Sequence, residues 1–65
     1  MNMSLVTITP KSSKAKNRLA NTMDGNPLCR VEQRVNGKVF LASANRKYFF
    51  WADENNDPHW SVTFP

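Results

Sequence analysis

The sequence predicts a small α+β domain, in which one helix packs on a strongly twisted antiparallel sheet of four to five strands in the order β-α-β-β-β-β. Three observations predict it. Apolar residues alternate with a period of two near the start of the chain, through residues 28–51 and again over residues 60–64. They recur at helical spacing only between residues 15 and 23. An Asn36-Gly37 pair, the strongest short hairpin signal, stands between two alternating runs. A sheet of this twist also admits partial closure into a barrel.

The first strand spans Met3 to Thr9, where Val6, Thr7, Ile8 and Thr9 are all β-branched. Thr9-Pro10 then makes a helix start, because Thr caps with its hydroxyl and Pro suits the first helical position. Ser12 and Ser13 are alternative caps that would move the start by three or four residues. The helix extends to about Met23. Ala15, Leu19 and Met23 form one narrow apolar stripe, and Gly25 supplies a left-handed stop. Asp24-Gly25-Asn26-Pro27 turns the chain, and Pro27 prevents the helix from continuing.

A two-residue turn at Asn36-Gly37 pairs Val35 with Lys38, Gln33 with Phe40, Val31 with Ala42 and Cys29 with Ala44. A second tight turn at Asn45-Arg46 pairs Ala42 with Phe49 and Phe40 with Trp51. Continued along the strands, this register places Cys29, Val31, Val35, Phe40, Ala42, Ala44, Phe49 and Trp51 on one face, expected to lie under the helix. The opposite face carries Arg30, Glu32, Arg34, Val39, Leu41, Ser43, Tyr48 and Phe50. Such a face either binds something or forms a second apolar layer. Residues 53–58 read as a polar loop, and Trp60, Val62 and Phe64 share one side of a last strand.

Sixty-five residues make a single domain, residues 1–65. A chain of this size buries only about 60% of the surface it exposes when unfolded, so self-association is a ready source of extra buried area. Seven aromatics and 40% hydrophobic residues are enough for a packed core. Cys29 is the single cysteine, which points to a reducing compartment and a cytoplasmic location. Neither a signal peptide nor a membrane-spanning run is expected.

The net charge is +4, unevenly placed. Residues 1–50 hold all nine basic groups against Asp24 and Glu32, a balance of +7, whereas residues 51–65 hold Asp53, Glu54 and Asp57 with no Lys or Arg, a balance of −3. One pole therefore attracts anions, nucleic acid foremost.

The helix start is the sharpest candidate site. Lys11, Lys14 and Lys16 stand where a helix usually carries acids, beside Ser12 and Ser13. Free N–H groups, hydroxyls and cations together suit a phosphate. With Arg18, Arg30, Arg34, Arg46 and Lys47 they form the candidate nucleic-acid-binding set, in which Tyr48 and Phe50 are the stacking residues. The competing expectation is that the lysines solubilise a surface and that Tyr48, Phe50 and Leu41 pack inward or meet a protein partner. The glycines of a P-loop are absent, His59 has no metal-ligand neighbour at suitable spacing, and Asp53, Glu54 and Asp57 lack the pattern of a calcium loop. No catalytic constellation, cofactor or metal is expected, and the chain reads as a non-enzyme.

Two stretches, "TPKSSKAKNRLANTM" and "VEQRVNGKVFLASANRKYFFW", resemble short accessory proteins of tailed bacteriophages of the T4-like and cyanophage type. The resemblance implies a small protein acting inside an infected bacterial cell on nucleic acid or on a host protein. It assigns no residue a role. The leading expectation is a nucleic-acid-binding accessory protein. Its rival is a protein-interaction module or homo-oligomer using an aromatic sheet face.

Overall fold

The computed structural model describes residues 5–65, so Met3, within the expected first strand, lies outside the described residues. The elements are β1 (Leu5–Pro10), α1 (Ser13–Asn21), β2 (Leu28–Val35), β3 (Lys38–Ser43), β4 (Phe49–Asp53) and β5 (Trp60–Thr63). The strands form one antiparallel sheet in the order β4-β3-β2-β1-β5. The sheet curls until Phe50 of β4 and Trp60 of β5, on its two outer strands, lie 5.5 Å apart between ring centroids. No ladder joins those strands, so the sheet is not closed into a barrel. Among the described residues no helix is long and apolar enough to cross a membrane.

β1 continues further than its local sequence suggests. Thr9 and Pro10 pair with Ser61 and Trp60, and the Lys11 amide donates to the His59 carbonyl at 2.7 Å. Ser12, not Thr9, therefore caps the helix. Its backbone is extended, and its hydroxyl accepts from the Ala15 amide at 3.1 Å. The helix ends at Asn21, two residues short of the expected Met23. Thr22 and Met23 both donate to the Arg18 carbonyl, and Gly25 donates to that of Leu19. Asp24 and Gly25 both take left-handed backbone there. The stripe of Ala15, Leu19 and Met23 faces the core as expected.

The Asn36-Gly37 hairpin has positive φ at both central residues, the conformation this dipeptide favours. Val35 pairs with Lys38 and Gln33 with Phe40, as the turn requires. Beyond that the register shifts. Val31 pairs with Leu41, Arg30 with Ala42 and Cys29 with Ser43, leaving Glu32 as an extra residue in β2. Such a bulge reverses which face the rest of the strand presents. Cys29 and Val31 thus lie opposite Val35, and they share a face with Leu41 and Ser43 rather than with Ala42 and Ala44.

The expected assignment of faces is reversed for β3 and β4 as a consequence. Val39, Leu41, Phe50 and Ala52 lie beneath the helix with Val6, Ile8, Ala15, Met23, Cys29 and Trp60. Complete burial of side chains such as Ile8 and Leu41 stabilises the fold by about 1.5–3 kcal/mol each. Phe40, Ala42, Phe49 and Trp51 line the other, open face. The β3–β4 connection is longer than two residues, with the Ser43 amide donating to the Tyr48 carbonyl, yet the expected pairs Ala42–Phe49 and Phe40–Trp51 both form.

Candidate nucleic-acid interface

The five acids decide where positive charge is left over. Glu54 binds Arg34 in a two-pronged ion pair, with one contact of 2.8 Å from Nη2 to Oε1, and Arg34 also covers the Phe64 ring at 4.5 Å. The guanidinium holds the Glu54 carboxyl below its ordinary range. Glu32 lies 3.3 Å from Arg30. Asp53 accepts from the amides of Asn55 and Asn56, which lower its carboxyl in the same way. Asp57 accepts from the amides of Asp53, His59 and Trp60, and Asp24 accepts from the Asn45 side chain. Each acid has a partner within the fold.

The polar loop also reaches the helix start. The Lys11 ammonium donates to the Asp57 carbonyl at 2.7 Å, and the Ser12 hydroxyl lies 2.8 Å from Nδ1 of His59. These contacts engage two of the residues expected to meet phosphate, Lys11 and Ser12. Ser13 is exposed at the first helical position. Arg34 is engaged by Glu54, and Phe50 is buried beneath Tyr48, 5.0 Å away in a stacked pair. The surface expected of Tyr48, Phe50 and Leu41 for a protein partner is therefore core, apart from the half-buried Tyr48.

The other basic residues of the set fall on two surfaces. Lys14 and Arg18 lie one turn apart on one flank of α1, whereas Lys16, about 200° around the helix from Lys14, lies on the other. The Arg18 guanidinium sits 4.7 Å above the Tyr48 ring. Residues 44–47, which connect β3 to β4, are tied to the helix end by the Asn45 amide, which donates to the Thr22 carbonyl at 2.9 Å and to Asp24 at 2.8 Å. Arg46 and Lys47 are exposed in this turn. Lys14, Arg18 and Tyr48 thereby line one side of the molecule, and the turn that carries Arg46 and Lys47 adjoins the end of the same helix. A cleft of about 140 Å³ opens there, lined by Lys14, Arg18, Tyr48, His59 and Trp60. Sequence reasoning set His59 aside because it looked for metal partners rather than neighbouring cations.

The second surface is the open sheet face. Phe40 lies 6.2 Å from Phe49 and 5.2 Å from Trp51 between centroids. Phe49 is 48% exposed and Trp51 49% exposed. Ala42 is covered beneath them, and Arg30 and Lys38 are on the same face, paired across the ladder with Ala42 and with Asp53. Neither Phe40, Phe49 nor Trp51 was among the expected site residues, because the unbroken alternation had assigned them to the core. Burial pushes the Cys29 thiol up to about 11, in keeping with a packed rather than reactive cysteine. Comparison with protein-family models, with curated proteins and with solved structures gives no match for this chain.

Proposed function

We propose that this protein binds nucleic acid, with the side formed by α1 and the β3–β4 turn contacting phosphates. One observation carries the reading. All five carboxylates are held by partners within the fold, while Lys14 and Arg18 on α1 and Arg46 and Lys47 on the adjoining turn have no carboxylate paired to them among the described residues. Asp24, hydrogen-bonded to Asn45, lies beside these residues, yet four cations outnumber it, and a surface with cations in excess attracts a polyanion. The four side chains contact the backbone of the ligand and require no particular base sequence. The Tyr48 ring supports Arg18 from below and limits its freedom, so less rotamer entropy is lost when a phosphate binds.

The test is anisotropy of a labelled oligonucleotide titrated with protein at several salt concentrations. Four phosphate contacts on a duplex give a slope of log K on log salt near −3.6, so affinity falls roughly 100-fold between about 50 and 200 mM salt. The variant Lys14→Ala/Arg18→Ala/Lys47→Ala should bind more weakly and with a slope near −1. Equal binding by parent and variant, or binding indifferent to salt, would overturn the proposal.

A further inference from the structure

We infer that the open face of the sheet is a stacking platform for unpaired bases, which makes single-stranded nucleic acid the ligand class. The inference rests on the proposed nucleic-acid binding and adds a second contact surface to it. Its basis is the Phe49–Phe40–Trp51 cluster, where three neighbouring rings stand on two adjacent strands with the outer two half exposed.

Spacing favours a single strand. Phe49 and Trp51 are two residues apart on β4, about 7 Å along the strand. That is twice the ~3.4 Å rise per nucleotide of a stacked helix. Bases reach both rings only from an extended strand whose own stacking is broken, which a duplex does not offer. Every base has a π-face, so such contacts tolerate any sequence.

Charge favours the same occupant. Arg46 and Lys47, with no carboxylate paired to them among the described residues, lead into Phe49 along the chain, whereas Arg30 and Lys38 on the platform's face stand beside Glu32 and Asp53. The phosphate-contacting side and the platform therefore meet at the β3–β4 turn, so a strand crossing that turn would keep cations beside its backbone.

The test compares a short oligothymidylate with a duplex of the same length, binding to the parent, to Phe49→Ala and to Trp51→Ala. Circular dichroism first establishes that each variant is folded. Trp60 is buried and Trp51 is not, so quenching of the parent's exposed tryptophan emission gives a second readout. Each ring removed should weaken oligothymidylate binding about 5- to 150-fold, while duplex affinity and the salt slope stay unchanged. Trp51→Phe should restore most of the loss. If the parent binds both nucleic acids but the ring variants bind the single strand as tightly as the parent, or lose duplex equally, the platform is refuted and the basic side stands. If nothing binds, both readings fall. Self-association seen by light scattering and abolished by the same variants, with oligothymidylate binding unaltered, would make a second copy the occupant and overturn the inference.

Discussion

Replacing Leu41 with alanine should destabilise the protein at least as much as replacing Trp51, although Trp51 is the larger side chain. Leu41 has no exposed surface. Removing about three carbon groups at ~0.8 kcal/mol each forfeits roughly 2.4 kcal/mol of transfer free energy, and the cavity left behind carries the expected loss to ~2.5–4 kcal/mol. A 65-residue domain has in total only about 3–10 kcal/mol. The melting temperature should therefore fall by roughly 18–29 °C. Trp51 is half exposed, so Trp51→Ala forfeits about 100 Å² of burial, roughly 2.5 kcal/mol, and with the Phe40 ring contact at 5.2 Å the expected cost is about 2–3 kcal/mol. Urea unfolding followed by far-UV circular dichroism measures both without depending on the tryptophan removed. If Trp51→Ala proves clearly the more destabilising, at the about 3–5 kcal/mol of a fully buried ring while Leu41→Ala costs less than about 1.5 kcal/mol, the two sheet faces are assigned the wrong way round, and the inferences drawn from them fail together.

Deleting Glu32 removes the extra residue of β2 and forces one half of the strand to turn its side chains to the wrong face, so a loss above about 3 kcal/mol is expected by urea unfolding, against about 0.5 kcal/mol or less for Glu32→Ala. Ser12→Ala should cost about 1 kcal/mol and speed amide exchange in the first helical turn, whereas Ser13→Ala, which removes no cap, should stay within about 0.5 kcal/mol. Glu54 and Asp53 have lowered carboxyl pKa values in the fold, so the unfolded chain takes up protons first as the solution is acidified. The stability they supply is complete above their ordinary values of 4.5 and 3.8 and is lost as pH falls through the folded values. Thermal melts should show a falling midpoint below about pH 4.5, shallower in Glu54→Gln; a midpoint constant down to about pH 3 would contradict the ion pair and the Asp53 turn.

Local chemistry made much of the fold legible. Asn36-Gly37 specified its turn and the first two pairs beyond it, and β-branched β1, the Ala15–Leu19–Met23 stripe and Gly25 each read correctly from neighbours in sequence. The faces of the meander were not legible. Val39, Leu41 and Phe50 are as apolar as Phe40, Phe49 and Trp51, so alternation alone could not rank them, and the decision passed to Cys29 and Val31 across a bulge that no turn residue marks. The helix start failed for a related reason. Thr9-Pro10 is a sound cap signal, but β5 claims both residues as ladder partners from fifty positions away. At the site, the exposure of Lys14, Arg18, Arg46 and Lys47 followed from composition, whereas the withdrawal of Lys11, Ser12 and Arg34 depended on where residues 54–59 fold back. Non-local contacts of this kind leave no periodic trace.

The closure of the helix start by residues 57–59 has a consequence for the order of assembly. The partner of Ser12 is made 47 residues later, and β1 needs β5 on its second side. During synthesis at about 5–20 residues per second, β1 and α1 wait seconds for the segment that secures them. The hairpins can form while that segment is still absent, since their partners are near in sequence. The earliest strand to be translated is thus the last to be fully enclosed, and loop closure across most of the chain should govern the folding rate. Substitutions around His59 should accordingly register in kinetics as well as in stability, because they act on the step that joins the two ends of this domain's history.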